Sequence, residues 1–478
     1  MNILRYDPKV SIALSKKFIK EKLIYGNGNN YNSLITPSST CLNSQEVQET
    51  SEDLYVLWKL YNTFTNIYLE SLKGKAPNWI KKFTEYGMSK EEVLAHRMVC
   101  LAGLEPVSCR VDYVSLGNER KIAEVQWKSG GPGLFFGIQD VYSHEIPFDS
   151  HTKELGNMVE QFYQLILHST GKKQPVAVNA VRDVWFNGEQ YLQNAYSKRS
   201  LFYIPLDREK VAERITEKNG IFFVTDSHGS RLQIDFFNGQ GFTKFFKKEK
   251  LDILAKASIN GKLWIETPLN YIYRQKWQLA LPFSEKYKNL FSKKVRDIII
   301  PTVLVSGKNI NLKPLIIYMP NVADRFLSIK TIDQIIELPI SLREKLILKC
   351  GAGTGQYYSD SKGVFRLGGS RSFVKKIIDF VMKRVVKLRE PWIIQVYVDS
   401  KYEIPLSLPD HLNEQSIVNA HARFMVYGGR FGKRKPVIIG GLGNFGKHWK
   451  VTGKAPKKDE FGNLLGTTFN DMRVIMKN

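Results

Sequence analysis

Apolar residues recur every three or four positions in two early segments, 51–73 and 89–104, which is typical of amphipathic helices. Ser89, followed three residues later by Glu92, adds a helix-start signal to the second segment. The first fifty residues are polar and rich in Gly, Asn, Pro and Ser, and they predict loops around one or two short helices. The pattern predicts an N-terminal helical extension over residues 1–97.

The helical pattern gives way to strand-like alternation in the segment 110–133, where a Gly-Asn turn signal separates two short strands. The first strand carries Arg110 and Asp112, and the second carries Glu124 and Gln126. Residues two apart on one strand share a face, so these four side chains can converge in an antiparallel hairpin.

Two carboxylates with an amide oxygen suit a hard cation such as Mg²⁺, which takes oxygen ligands and shares them with substrate phosphates. On this reading Arg110 offsets the charge of a phosphate. The alternative is that the four side chains are only the solvated face of a hairpin, since strands commonly alternate polar and apolar residues.

The segment 134–148 is interpreted as a loop with an aromatic face, which can line a substrate pocket or join the core. The core is the commoner environment for such residues. The aromatic residues concerned are Trp127, Phe135, Phe136 and Tyr142.

From residue 173 onward, short apolar runs alternate with helical patterns. Buried strands are predicted at 175–181 and 200–206, helices at 189–198 and 208–220, and a hairpin over 220–239. Strands separated by helices of about ten residues favour parallel βαβ packing, hence a Rossmann-like domain. Its first strand is not followed by GxGxxG, so no dinucleotide is expected there.

A second candidate site lies at 344–370, where a strand ends at Lys349 and a glycine-rich stretch leads to a returning strand. Gly351, Gly353 and Gly355 would let backbone N–H groups approach a polyphosphate without side-chain interference. A mobile loop with no ligand is the alternative. The following segment, 372–389, predicts an amphipathic helix with Phe373 among its inward-facing residues.

Composition adds one unusual feature to this picture. The chain of 478 residues has 70 Lys and Arg against 46 Asp and Glu, a formal net charge of +24. Such a surface attracts polyanions, whether a nucleotide, a nucleic acid or an acidic carrier protein. The basic hairpin pattern at 428–435, GGRFGKRK, is the best candidate for contact with nucleic acid because it combines an aromatic ring with cations.

Other features point to a protein of the cytoplasm. Four cysteines without a CxxC motif or metal-ligand spacing fit a reducing compartment. No apolar run approaches the length of a membrane helix, and the first residues lack a continuous apolar signal region. We therefore expect a soluble, cytoplasmic protein with no membrane contact.

The hairpin motif, Arg-x-Asp and then Glu-x-Gln about twelve residues later, resembles the metal and phosphate strands of circularly permuted ATP-grasp ligases. The glutathionylspermidine synthetase group belongs to this family. Gln126 stands where the family usually has Asn, which keeps the carbonyl oxygen and adds a methylene. The order over 344–398 also resembles the ATP-grasp nucleotide lobe: strand with lysine, glycine loop, returning strand, helix and the strand WIIQVYV.

The resemblance implies a mixed α+β and α/β fold, with the metal-binding strands at 98–150, a Rossmann-like pre-ATP-grasp domain at 151–290 and nucleotide-binding lobes at 291–478. It implies ATP and Mg²⁺ as cofactors, with the metal on Asp112, Glu124 and Gln126. Arg110 and Lys349 would be catalytic. Nucleotide-binding roles would fall to Lys294, Lys349, Gly351, Gly353, Gly355, Arg423 and a hinge strand of Gln395, Val396, Tyr397 and Val398.

The implied activity is an ATP-dependent carboxylate–amine ligase that forms an amide through an acylphosphate, with small-molecule carboxylate and amine substrates. Three alternatives stay open: a ligase that loads an acyl-carrier protein, a non-catalytic ATP-binding subunit, and a basic nucleic-acid-binding protein with a degenerate nucleotide fold.

Overall fold

The computed structural model describes most of the chain. The described residues are 1–7, 9–23, 35–116, 119–127, 132–146, 148, 150–181, 186–239, 246, 250–306, 309–310, 315–317, 327–329, 331–353, 363–408, 411–432, 434–446, 457–458, 464–465 and 467–475. Gly355 and most of the predicted glycine loop lie outside them. In the described part, no helix is both long and apolar enough to cross a bilayer.

The α-helices are α1 Lys9–Lys20, α2 Ser44–Leu72, α3 Asn78–Thr84, α4 Lys90–Leu101, α5 Pro132–Glu145, α6 Met158–Thr170, α7 Phe186–Tyr196, α8 Val211–Arg214, α9 Leu251–Ile259, α10 Lys293–Ile298, α11 Gln334–Glu337, α12 Ile340–Arg343 and α13 Arg371–Lys383. Short 3₁₀ helices occupy Arg208–Lys210, Tyr271–Arg274, Trp277–Phe283 and Lys288–Leu290, and a π turn, Arg384–Leu388, extends α13.

The strands are β1 Asn2–Arg5, β2 Ser38–Asn43, β3 Ser108–Leu116, β4 Glu119–Gln126, β5 Thr152–Glu154, β6 Val176–Val181, β7 Phe202–Asp207, β8 Ile215–Lys218, β9 Ile221–Thr225, β10 Arg231–Gln233, β11 Phe236–Gly239, β12 Trp264–Ile265, β13 Thr302–Ser306, β14 Asn309–Ile310, β15 Leu315–Ile317, β16 Leu327–Ile329, β17 Leu346–Cys350, β18 Val364–Arg366, β19 Trp392–Val396, β20 Lys401–Leu408, β21 His411–Gly429, β22 Val437–Gly446, β23 Lys457–Lys458, β24 Leu464–Leu465 and β25 Thr467–Ile475.

A nine-stranded sheet combines β1 and β2 from the start of the chain, β3, β4 and β5 from residues 108–154, and β20, β21, β22 and β25 from residues 401–475. Its order is β1-β2-β25-β22-β21-β3-β4, with β20 also paired to β21 and β5 to β25. The first 97 residues therefore do not form a separate helical extension, because β1 and β2 are strands of this sheet. Helix α2 packs against the sheet through Leu54 and Leu57, which share a core with Val111 and Phe424.

The caps explain where the first long helices begin. Asn43 accepts a hydrogen bond from the backbone of Glu46, whose carboxylate accepts one from the Asn43 N–H, so α2 begins seven residues before the predicted start. Ser89 and Glu92 form the same arrangement at α4, as predicted.

A four-stranded sheet, β12-β11-β6-β7, confirms the predicted parallel packing, since β6 runs parallel to both β7 and β11. The helix predicted over 208–220 is wrong. Only a 3₁₀ turn and the four residues of α8 form there, and β8 follows because its backbone pairs with β9. Tertiary pairing here overrides a helical pattern.

A five-stranded sheet, β14-β13-β19-β17-β18, contains the strand that ends near Lys349. Its pairs are antiparallel, and α13 covers one face through Val374, Ile378 and Val381. The prediction that Phe373 faces inward is wrong, since its side chain is exposed. Ser370 caps α13 from the position just before that helix.

The segment after Gly133 is a helix, α5, and not the predicted loop. Phe135, Phe136 and Tyr142 are buried in a core with α6 and β21, so they do not line an open pocket. The helix starts where Gly133 lies against Gly188 of α7, so close that a Cβ on Gly133 would overlap the Gly188 backbone. This contact fixes the path of the chain that leaves β4.

We expect Gly133→Ala to lower the free energy of unfolding by about 2–3 kcal/mol, because the added methyl group meets backbone and forces α5 and α7 apart. Gly137→Ala in the same helix is the control. Its Cβ meets the side chain of Leu23 at 2.8 Å, which can rotate away. Urea denaturation of both variants measures the difference, and equal losses would show that the α5–α7 contact is not a constraint.

A buried carboxylate, Glu189, holds the same junction. It accepts hydrogen bonds from the Gly133 N–H (3.0 Å), the Asn179 amide (2.5 Å) and the Tyr203 hydroxyl (2.6 Å). Burial raises the pKa of Glu189 to about 7 in spite of these donors, and the charge of Glu266 adds to the shift.

The raised pKa means that the folded state binds the Glu189 proton more tightly than the unfolded chain does. This contribution to stability is present below the ordinary pKa and is lost as pH rises through about 7. We expect wild type to gain about 3 kcal/mol relative to Glu189→Gln between pH 8 and pH 5, measured by urea denaturation.

Glu160→Gln is the matched control for the sign of the change in stability with pH. Hydrogen bonds from Gln164 and Arg199 outweigh burial and lower the pKa of Glu160. Wild type should therefore lose stability relative to that variant over the same change in pH. A Glu189→Gln difference that does not change with pH would contradict the assignment.

Candidate functional site

One face of three neighbouring strands brings the predicted residues together. Asp112 is the register partner of Glu124 on β4 and of Met425 on β21, while Arg110 is opposite Gln126 and Tyr427. Cross-strand partners point to the same side of a sheet. Arg423, two residues from Met425, shares that side, so the sequence-predicted hairpin gains a third strand from residues 411–429.

A β-bulge shapes this face. The register shifts after Asp112, so that Tyr113 pairs with Ile122 and Ala123 is the extra residue on β4. Bulges bend a strand and redirect the neighbouring side chains. The bulge lies directly beside Glu124.

Asp112 is completely buried and holds two guanidinium groups. Arg110 donates from Nε to Oδ1 at 2.8 Å and from Nη2 to Oδ2 at 3.0 Å, and Arg423 Nη1 lies 3.1 Å from Oδ2. Both carboxylate oxygens therefore have cationic partners. Burial alone would lower the pKa of Arg110, but the charge of Asp112 and its neighbours raises it, so the guanidinium stays charged.

Glu124 has a cation from another part of the chain. Lys276 Nζ lies 3.0 Å from Glu124 Oε1, Arg423 Nη1 lies 3.9 Å from Oε2, and the Gln126 amide donates to Oε1 at 3.2 Å. Burial would raise the pKa of Glu124, but the surrounding cations, Lys276 first among them, lower it well below its usual range. Glu124 is therefore ionised.

Lys349 brings the five-stranded sheet into the same cluster. Its ammonium donates to Gln395 Oε1 at 2.5 Å on the neighbouring strand β19. Burial lowers the pKa of Lys349 to about 8, with Lys276 and Arg423 lowering it further, while the charges of Glu124 and Asp112 oppose the change. The two sheets thus share one set of interacting charges, which we call the charged cluster: Arg110, Asp112, Glu124, Lys276, Lys349 and Arg423. The region between the two sheets where these side chains lie is called the cleft.

The end of β17 is fixed by the segment 274–277. The Gly351 carbonyl accepts from the N–H groups of Lys276 (2.9 Å) and Trp277 (3.1 Å), and the Gly353 N–H donates to Gln275 Oε1 at 2.9 Å. A Cβ on Gly351 would lie 2.8 Å from that of Trp277. These contacts set the distance between Lys349 and Lys276.

Two of the glycines therefore do not have the predicted role of letting backbone N–H groups approach a polyphosphate. Gly351 N–H donates to the Pro391 carbonyl at 2.8 Å and Gly353 N–H to Gln275, so neither is free to approach a phosphate. Both glycines permit close packing against 274–277. Gly355 lies outside the described residues.

Lys276 is the member of the cluster that the motif analysis missed. It lies in a loop just after a 3₁₀ helix, in no recognisable motif. The available signal was the polar run Arg-Gln-Lys between two buried aromatic residues, Tyr273 and Trp277. Charged side chains inside a buried aromatic stretch need partners, and that requirement points to a site.

The predicted hinge strand is only partly available for a nucleotide base. Val396 N–H donates to the Pro301 carbonyl (3.4 Å) and Tyr397 N–H to the Lys345 carbonyl (2.7 Å), so these two donors are already used. Gln395 lies between β13 and β17 and accepts from Lys349. Val398, just beyond β19, remains a candidate from the predicted hinge.

Lys294 lies elsewhere, on α10 against α2. Its ammonium is 3.6 Å from Asp53, which is buried, and 3.9 Å from Glu52, both on the first long helix. These contacts pair it with α2 and do not bring it to the charged cluster.

Two residues of the basic hairpin at 428–435 contact other parts of the protein. Arg430 forms an ion pair with Glu105, and Phe431 is half-buried against α6, where its ring centroid is 5.2 Å from that of His168. Neither is presented as a free stacking or phosphate contact, so these two residues give no particular support to nucleic-acid binding.

The donor set fits Mg²⁺ in part. No group of three or more His, Cys, Asp or Glu side chains with metal-binding geometry occurs among the described residues. Asp112 does not fit the predicted role of ligand, because both of its oxygens are bound by arginines. Glu124 fits, since its carboxylate is ionised and Mg²⁺ takes its other ligands from phosphates and water, whereas Gln126 turns its amide nitrogen and not its amide oxygen to Glu124.

Comparisons with known proteins agree with this architecture. No protein-family model matches the chain, and no curated protein gives a significant match to its sequence. Among solved structures, the fold resembles that of a glutathione synthetase-like effector from Globodera pallida, in its apo form, with a TM-score of 0.55 and 11% identity over 98% of each chain. A putative gamma-glutamylcysteine synthetase from Methylobacillus flagellatus matches with a TM-score of 0.37 and 11% identity, over 86% of this chain and 87% of the other. At such identity the first likeness shows a mixed α/β fold of the glutathione synthetase-like kind, and the second supports no further argument.

We expect Lys276→Met to raise the pKa of Lys349 from about 8, because a cation that disfavours its protonated form is removed. A pH titration of the Lys349 side chain by NMR, with ¹³C-labelled lysine, measures this. Lys294→Met is the matched control, since that lysine lies against α2, and it should leave the titration unchanged. An unchanged midpoint in Lys276→Met would show that the two ammonium groups do not interact.

Proposed function

We propose that the protein is an ATP-dependent carboxylate–amine ligase that forms an amide bond through an acylphosphate. The observation that carries the proposal is the charged cluster, in which Lys276 lies 3.0 Å from Glu124 while its backbone N–H holds the Gly351 carbonyl, two residues after Lys349. The glutathione synthetase-like fold supports the same reaction class.

The cations of the cluster are the proposed phosphate ligands. Lys276 lies beside Glu124 and Arg423 beside Asp112, and Arg423 Nε is buried with no hydrogen-bond partner among the described residues. The third cation is Lys349. In phosphoryl transfer the protein contributes mainly positioning and electrostatic stabilisation, which fixed cations in a partly dry cleft can provide.

Glu124 would hold Mg²⁺, and Gln126 would join it with its amide turned so that the oxygen faces the ion. When bound, the ion would supply positive charge that offsets the charge of the phosphates. Glu124 is the suitable ligand because it is ionised and its cationic partner, Lys276, is a flexible lysine that can turn to a phosphate instead.

Arg110 is the proposed partner of the reacting carboxylate or of the transferring phosphoryl group. Asp112 fixes its guanidinium plane through two hydrogen bonds, so its remaining N–H groups have a set direction. A fixed donor costs no reorganisation when charge develops, which is the condition for electrostatic catalysis.

The substrates in this proposal are a small carboxylate and a small amine. An acidic carrier protein or nucleic acid as acceptor has no specific support from the described surface. The proposal places the protein in the cytoplasm, where ATP and Mg²⁺ are plentiful.

Lys349→Met should lower ADP release by at least about 100-fold, because a buried cation aimed at the phosphates is lost. The assay follows ADP and phosphate with pools of carboxylates and amines. Lys294→Met, in which a lysine at the predicted but remote position is removed, should keep activity within about threefold of wild type. Equal effects of the two substitutions, or no ADP release by wild type with any pool, would contradict the proposed function.

A further inference from the structure

Asp112 is built into the cleft as a counter-ion. Its side chain is fully buried, it receives both donors of the Arg110 fork, and Arg423 Nη1 lies 3.1 Å from the same oxygen that Arg110 Nη2 contacts. A metal ion on either oxygen would have to displace a guanidinium from a buried carboxylate. Leaving a buried charge unpaired is strongly unfavourable, because the remaining charge has lost both water and its partner.

The charges around Asp112 oppose a metal ion as well. Four cationic side chains face two carboxylates in the charged cluster, Asp112 and Glu124. The cluster therefore carries an excess of positive charge before any ligand binds. A divalent cation arriving alone would add to this excess, whereas an anion would reduce it.

We propose that the cleft has no metal site of its own: Asp112 is a positioning residue that holds Arg110 and Arg423 for an anion, and a divalent cation binds only together with the nucleotide's phosphates. The inference rests on the proposed function, because the nucleotide is the anion. It assigns different roles to two carboxylates that share one face: Asp112 holds the arginines, and Glu124 would bind the metal ion.

The contacts imply that the nucleotide's phosphates bind to the cations before Glu124 can bind the metal ion. Phosphate oxygens attract Lys276 and Arg423, which lie 3.0 Å and 3.9 Å from Glu124. As these cations move to the phosphates, Glu124 loses its partners and becomes available as an oxygen ligand. Asp112 keeps Arg110 throughout, because that pair is buried and bidentate.

The first test titrates Mn²⁺ into the wild-type protein without nucleotide, with bound ion followed by electron paramagnetic resonance. We expect no stoichiometric binding below about 1 mM, because two carboxylates already paired with cations make a poor site. Stoichiometric binding tighter than this would overturn the inference. This outcome does not depend on ATP, so it separates the inference from the proposed ligase activity.

The second test compares two variants by the ratio of their ATP dissociation constants without and with Mg²⁺, measured calorimetrically in EDTA or in excess metal. Glu124→Gln should lower this ratio by at least about 10-fold, since a metal ligand is lost. Asp112→Asn should change both constants by the same factor and leave the ratio within about twofold of wild type, a result that a metal ligand cannot give.

A selective loss of the Mg²⁺ effect in Asp112→Asn would overturn the inference. If Asp112→Asn does not fold, the wild-type Mn²⁺ titration and the Glu124→Gln ratio decide the question. If ATP binds in neither buffer, the proposed function fails, and the Mn²⁺ titration alone decides whether the cleft holds a metal site.

Discussion

Buried charge has to be paired, and this requirement organises the cleft. Arg110 and Asp112 are both almost completely buried, so water cannot solvate either charge. Their pairing fixes the face of β3, and through Arg423 it fixes the register of β21 against β3. Because removal of one partner from such a pair costs several kcal/mol, the site is held in place before any ligand arrives.

The same requirement links the two sheets. Lys349 is buried on β17, and its charge is tolerated because Glu124 lies across the cleft and Gln395 accepts its hydrogen bond. Lys276 connects them, since its side chain reaches Glu124 while its backbone N–H holds the Gly351 carbonyl. One short segment thus couples the position of the lysine-bearing strand to that of the carboxylate.

The sequence pattern predicts helices and strands well where residues close in sequence determine the structure. The β3–β4 hairpin with Asp112 opposite Glu124, the cap at Ser89 and the strand that carries Lys349 follow from period and turn chemistry within about twenty residues. Such patterns give the face of a strand but not its partner. The pairing of β21 with β3 therefore could not be predicted from residues some three hundred positions apart, nor could the entry of β1 and β2 into the same sheet.

Two errors have a common physical origin. The first two turns of helix α5, residues 132–139, are buried, so this part of the helix lacks the polar face that identifies a surface helix. The glycines Gly351 and Gly353 were assigned to phosphate, although they serve contact with 274–277. In both cases the packing partner lies far away in the sequence, and composition alone cannot distinguish close packing from ligand approach.

The charge of the cluster also bears on the proposed acceptor. A net charge of +24 describes the surface and says little about a pocket, but the cleft itself has more cations than carboxylates. A polyamine would bring further positive charge to this place, with Asp112 and Glu124 already paired. An amine that carries its own carboxylate would meet the Arg423 Nε–H donor instead, which is buried and has no hydrogen-bond partner among the described residues although Nη1 is paired with Asp112. The local electrostatics thus favour an amino-acid-like acceptor over a polycation, although the hairpin motif resembles that of a family that includes polyamine ligases.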